Sequence, residues 1–370
     1  MSDQTPSAKI FQETQALWGT DRQPMGCPHC RRVFLVVPEQ NGMRCPLCGK
    51  SLLGSQPARM RPAEPEKLLP FKVSQHQLQS IYQDFTSGVW IKLPDFTPEN
   101  LLARSVPVFW PLWMVDCDIN GHWQMEAGFD YKVESSKDYY ASGRWQSRKQ
   151  IETKVRWEPR LGEISYHVDN ITIPALEEHE NRCLMTGGYH LDQASGFNPE
   201  HLGSAIMEVP DLPPENAWPI AKPRVDQVVG EVSAQAAGAQ HSRNFAIKAE
   251  YSHLNWTQFY LPLYATNYLD DNGNPQIVIV NGETGSIHGP RLASPKRGRR
   301  IAGIIAAAAG ALLLLTLIGV LLSSTFPPVG IVAALLGVLG FGTGITAIIP
   351  AVWPAGWNRE HNTPKIALRR

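Results

Sequence analysis

A chain of 370 residues is long enough to bury more than one core, and its 34 Lys/Arg exactly offset its 34 Asp/Glu. That zero hides an uneven spread: residues 21–62 carry +5, residues 63–295 carry −11, and residues 296–370 carry +7. The first 25 residues are polar, contain Pro6 and Pro24, and lack the apolar stretch of a secretory signal, so a disulfide-stapled secreted fold is not expected and the six cysteines point to a reducing compartment.

Residues 1–24 read as a flexible N-terminus. The segment 25–56 reads as a zinc ribbon: Cys27, Cys30, Cys45 and Cys48 follow a Cys-x2-Cys, 14-residue, Cys-x2-Cys spacing. A two-residue gap lets each pair grip one ion from a tight turn. Val33–Val37 reads as a strand, Glu39–Gly42 as a turn with a favourable Asn41-Gly42 dipeptide, and Met43-Arg44 as the return, a hairpin that brings the two knuckles together. Four thiolates complete a tetrahedral shell and leave no place for a water, which makes the metal structural. Four thiolates also suit iron. His29 lies inside the first knuckle and is expected to be exposed. Gly49-Lys50-Ser51 is no phosphate loop, because Arg44 stands where that motif needs glycine.

Residues 57–68, rich in proline and charge, read as a linker, and residues 69–292 as an α+β domain with a largely antiparallel sheet. Ser74 is an N-cap ahead of Leu78, Ile81, Tyr82 and Phe85 at helical spacing, and Thr97-Pro98-Glu99 opens a second helix. Strands are expected over 106–119, 122–133, 163–168 and 244–269. Ile151, Thr153, Val155 and Trp157 alternate with charged residues as in a strand wet on one face, and Val225, Val228, Val229 and Val232 mark a helix. Val108–Trp113 echoes Phe259–Tyr264, each with a central proline, as equivalent corners of two related halves would. Asp271–Asn274 is a hairpin turn with 276–280 as its return strand, and Asn281–Gly285 turns the chain again.

Two constellations in this domain contain chemistry-bearing groups. Asp116, Cys117, Asp118 and His122 are metal-capable, but on a strand Cys117 faces opposite to both aspartates. Glu177, Glu178, His179 and Glu180 resemble part of a zinc-protease helix in which Cys183 replaces the second histidine, and a solvated charged face explains them better. The tryptophans on strands are expected to be core. No nucleophile elbow, dinucleotide fingerprint or phosphate loop is present.

After a basic juxtamembrane segment (293–300), residues 301–322 and 329–349 are two uncharged runs, each long enough to cross a hydrocarbon core of about 30 Å. Pro327 and Pro328 lie in the short connection, so the spans form an antiparallel hairpin. Lys296, Arg297, Arg299 and Arg300 precede the first span, and Arg359, Lys365, Arg369 and Arg370 lie in the basic tail 350–370. The positive-inside rule then places both termini in the cytoplasm, with Trp353 and Trp357 at the inner interface. The Gly340-x3-Gly344 spacing permits close helix approach, within the hairpin or between copies. With no ionisable group inside the spans, they read as an anchor.

The order of these parts, with Leu69–Val73, Arg156-Trp157, Tyr260–Leu263 and Val280–Gly285 following the four-cysteine ribbon, resembles a group of uncharacterised bacterial membrane-tethered zinc-ribbon proteins. Their ribbons are of the transcription-factor-IIB or primosomal-helicase type. The resemblance spans residues 27 to 290 and implies one zinc ion on Cys27, Cys30, Cys45 and Cys48; helicase activity is not implied, since ATP-binding motifs are missing. The expected function is a non-enzymatic interaction or scaffold module at the cytoplasmic face of the inner membrane, with the bilayer and a protein as its partners. Nucleic-acid binding through Arg22, Arg31, Arg32, Arg44 and Lys50 is the first alternative, disfavoured by the −11 middle. An enzyme of unidentified reaction in the central domain is the second.

Overall fold

A computed structural model describes residues 22–40, 42–55, 65–141 and 143–361. Asn41, Gln56 at the end of the ribbon, most of the linker (57–64), the first 21 residues, and Lys365, Arg369 and Arg370 of the tail lie outside the described residues.

In chain order, β1 (Gln23–Gly26), β2 (Val33–Val36), β3 (Gly54–Ser55) and β4 (Lys67–Leu68) are short strands. Helix α1 (Gln75–Thr86) starts at Ser74, whose hydroxyl accepts from Gln77 N while the Gln77 side chain returns to Ser74 N, a complete capping box. Helix α2 (Pro98–Ala103) is capped by Thr97, with proline in the first turn as the sequence reading expects. Two very long strands follow, β5 (Val106–Ala141) and β6 (Arg144–Pro174), then α3 (His179–Thr186), β7 (Ser195–Gly196), β8 (Ile206–Glu208) and α4 (Pro214–Ala236). Next come β9 (His241–Leu269), β10 (Pro275–Asn281) and β11 (Ile287–His288), and last α5 (Pro295–Leu322), α6 (Pro327–Thr346) and α7 (Ile348–His361).

The sheet is large and mixed, in the order β11-β10-β9-β5-β8-β2-β1-β3. The β5–β8 pair is parallel, whereas β1–β2, β2–β8, β5–β6, β9–β10 and β10–β11 are antiparallel. The chain forms two compact units, one from the described parts of 1–111, 178–209 and 260–370, the other from 112–177 and 210–259.

In the first unit, α1 turns Leu78, Tyr82 and Phe85 onto Phe96, Leu101, Tyr268, Val278 and Val280. A second core joins Leu35 of β2 and Leu68 of β4 to Phe109, Leu202, Met207 and Tyr260. The cysteine-bearing segment is thus part of this unit's sheet and core, because β2 hydrogen-bonds to β8 through Phe34↔Glu208 and Leu35↔Met207.

In the second unit, α4 lays Ala217, Ala221, Val225 and Val229, one every four residues, against Trp113, Val115, Cys117, Ile119 and Ile173. The sequence reading begins this helix near Val225. It starts at Pro214, and Pro219 and Pro223 lie inside it, the residues that mask its first turns.

Three strand expectations change. No turn occurs at Asn120-Gly121: β5 runs through, and Gly121 is where β9 crosses so closely that a Cβ would collide with the Lys248 carbonyl and Ala249. The alternating stretch 151–157 keeps its alternation only at Val155 and Trp157, which are half-buried, since Ile151 is 63% exposed and Thr153 is exposed as well. Pro111 marks neither an edge nor a corner. It is buried where one side of β5 stops pairing with β8 (Val108, Phe109) and starts pairing with β6 (Leu112), a changeover at which no N–H is required.

Two helical stretches, Pro295–Leu322 and Pro327–His361, are long and apolar enough to cross a membrane. Gly337, Gly340 and Gly344 all face α5, against Thr316, Leu312 and Leu313, and Ala309 respectively, so the small-residue stripe serves approach within the hairpin. Trp353 and Trp357 are seated on protein: Trp353 meets Trp90 edge to face, and both pack on the α1 core. Trp357 Nε1 donates to Arg291 O (2.6 Å), and Asn358 accepts from Ala293 N (2.7 Å) and donates to Ala293 O (3.1 Å).

Candidate metal centre

Two equivalent turns carry the four thiols. In the first, β1 and β2 close around Cys27–Cys30. Arg31 N donates to Cys27 O (2.9 Å), and Cys27 N donates to Arg32 O (2.8 Å). The second turn repeats the pattern, with Gly49 N on Cys45 O (2.9 Å) and Cys45 N on Ser51 O (2.9 Å), closed by an Arg44↔Leu52 bridge. The residue after each pair turns left-handed, Arg31 at φ 60° and Gly49 at φ 65°. This corrects the expected hairpin: β2 does not return through Met43-Arg44 but pairs with β1, and each knuckle is the tip of its own loop. Sequence reasoning missed β1 because Pro24 and Gly26 are poor strand formers.

The four sulfurs converge. Their ligand atoms all lie within 4.8 Å of one another, with Cys27···Cys48 at 3.6 Å and Cys30···Cys45 at 3.7 Å. A disulfide would need about 2.05 Å. A tetrahedral ion with metal–sulfur bonds of about 2.3 Å separates its sulfurs by about 3.8 Å, so the spacing fits a metal ion such as zinc. Among the described residues this is the group of His, Cys, Asp and Glu that gathers in this way.

Burial pushes the Cys27 thiol up. The hydrogen bond from Cys45 holds Cys30 down to about 5 and correspondingly drives Cys45 up, with burial adding to the rise. A cation bound among the sulfurs would favour their thiolate forms. His29 is exposed, as expected.

Of the five basic residues named for the ribbon, Arg31, Arg44 and Lys50 are exposed, whereas Arg22 and Arg32 are committed inward. Arg22 is buried and donates to the carbonyls of Ala205 and Gly203 (2.8 Å to the latter). Arg32 pairs with Glu178 and, at 3.6 Å, with the fully buried Glu208, which Arg182 approaches at 3.3 Å. Arg44 donates to Gly49 O and Lys50 O. Burial opposes the Arg32 charge, yet the Glu208 and Glu178 carboxylates outweigh it and raise the guanidinium's pKa; burial lowers that of Arg182.

At α3 the expected solvated face is present in Glu177, Glu178 and Glu180, all exposed, but His179 is not part of it. The helix buries His179 and Arg182 against Trp110, with the guanidinium 5.9 Å from the ring centre, and brings Cys183 Sγ to 3.3 Å from His179 Nε2. No periodicity rule could have linked Arg32 to Glu208, 176 residues along the chain.

The Asp116–His122 constellation does not assemble. Cys117 is buried toward α4. Asp118 instead accepts from His167 (2.6 Å) and His253 (2.9 Å), Asp116 accepts from Asn170 N (2.7 Å), and His122 stands by Glu163 at 3.8 Å. Of the tryptophans, Trp110, Trp113 and Trp123 are buried, whereas Trp90 and Trp145 are 59% and 73% exposed. No family model, no curated protein and no solved structure matches the chain.

Proposed function

We propose that this protein is a membrane-anchored zinc-ribbon module, non-enzymatic, that presents its ribbon and β-rich body to a protein partner at the cytoplasmic face of the membrane. The observation that carries the reading is the sulfur geometry. Four thiols already spaced for a tetrahedral ion leave no coordination position for substrate, so zinc on Cys27, Cys30, Cys45 and Cys48 acts as a staple. The ribbon it staples is tied to its own unit through Arg22, Arg32 and the β2–β8 pairing, which gives a partner a rigid surface. Nucleic-acid binding at the ribbon is weakened by the same contacts, since Arg22 and Arg32 are engaged away from solvent and only Arg31, Arg44 and Lys50 of the five basic residues are exposed.

The test is crosslinking in intact cells, recovery of the tagged full chain, and quantification of both zinc and co-recovered proteins for wild type and Cys45→Ser. One zinc per chain and a protein enriched with wild type but lost with the variant are expected. Zinc at background in wild type, or no protein above background, overturns the proposal.

A further inference from the structure

Beyond Asp130, where His241 Nε2 meets its carboxylate at 2.8 Å, β5 and β6 continue as a two-stranded ribbon. Its rungs run unbroken from Tyr131↔Lys154 to Ala141↔Arg144, a length of about 35 Å at ~3.4 Å per residue. Among its described residues none is buried. A lone two-stranded ribbon gains little from its own packing, so its exposed aromatic residues call for a partner.

The register separates tip from root. The six rungs nearest the turn, Ser136↔Lys149 to Ala141↔Arg144, contain four Lys/Arg and one Asp, a balance of +3. The five rungs below, Tyr131↔Lys154 to Ser135↔Gln150, contain two Lys and two Glu and sum to zero. Three of its four exposed aromatics lie at the charged end, where Tyr139 is 44%, Tyr140 62% and Trp145 73% exposed; the fourth, Tyr131, is at the root.

We infer that the β5–β6 tip is an interfacial anchor that seats Tyr140 and Trp145 in the headgroup layer of an anionic bilayer, with Arg144, Arg148 and Lys149 on the lipid phosphates. Tyrosine and tryptophan belong at that depth, apolar ring inward and polar edge outward, and each basic side chain near an anionic surface adds to the attraction. A nucleic-acid strand fits less well. Charge is confined to the tip and cancelled along the root, so there is no lengthwise track for phosphates. The Tyr140 and Trp145 rings also pack edge to face, 5.5 Å apart at 69°, a wedge rather than a stacking platform. The tip belongs to the second unit, and its inference does not depend on the spans or on the ribbon's metal.

The experiment uses the full chain in phosphatidylcholine nanodiscs and vesicles added separately, either pure phosphatidylcholine or phosphatidylcholine with phosphatidylserine. Co-flotation with the anionic vesicles alone is expected, together with trypsin cleavage at Arg144, Arg148 and Lys149 slowed about tenfold. Tyr140→Ser/Trp145→Ser and, separately, Arg144→Glu/Arg148→Glu should each abolish flotation while leaving the thermal unfolding midpoint unchanged. Flotation that survives both variants, equal binding to neutral vesicles, no binding at all, or protection of the tip by duplex DNA or RNA in place of lipid each overturn the inference.

Discussion

Asp95 shows how much one carboxylate can organise. It precedes α2 and accepts from both terminal nitrogens of Arg104, from Asn100 Nδ2 (3.0 Å) and from Leu269 N at the end of β9 (2.7 Å). The Arg104 hydrogen bond, reinforced by the Leu269 amide, holds its pKa below the ordinary carboxylate value against a burial cost. Because the folded-state pKa is depressed, the stabilisation is complete above the unfolded value of about 3.9 and disappears as pH falls through the lower folded value. Asp95→Asn should therefore lower stability by about 1–3 kcal/mol at pH 7. The gap between wild type and variant should close below about pH 4, read from unfolding midpoints across a pH series. A gap that stays constant down to pH 2 would refute the charged role.

Among the elements, the knuckle between β1 and β2 and the helix α3 meet through one buried carboxylate. Glu208 is fully buried on β8, between Arg32 and Arg182, and the side chains of both arginines are 15% exposed or less. Leaving such a group with no partner costs about 3–5 kcal/mol, and removing one of its two arginines costs part of that, whereas an exposed lysine matters little. Arg32→Ala should accordingly destabilise the chain by about 2–4 kcal/mol, and Lys50→Ala, on the outer side of the second knuckle, by less than about 0.5 kcal/mol. Thermal unfolding of the detergent-solubilised protein checks this, and equal midpoints for the two variants would show that the network does not hold the knuckle.

At the scale of the whole molecule, the proposed topology places both termini and everything between ribbon and spans on one side of the bilayer. Protease added outside intact cells should leave the chain full length, with only the 323–328 connection exposed, while the same protease should digest residues 65–290 once the cells are opened. Loss of the head from intact cells would place it outside and remove the basis for a reducing compartment.

Features set by near neighbours were legible in the sequence. The Cys-x2-Cys pairs, the Ser74 and Thr97 caps, the Gly273 turn and the two spans each express chemistry contained within one or two turns of chain. Features that depend on distant pairing were not. Strand β1 is poor in strand formers and exists because β2 and β3 flank it. Gly121 reads as a turn until β9 is seen against it, and the prolines of α4 hide a helix that its sheet contacts hold. Arg22 and Arg32 look like a phosphate-binding surface in one dimension; in three, Gly203, Ala205 and Glu208 claim them. Sequence alone marked out which thiols converge and which helices are long and apolar enough to cross a membrane, since spacing and hydrophobicity are local properties. The tertiary structure alone decided which charges are free and which strand edges are covered, because burial and pairing are properties of residues far apart in the chain.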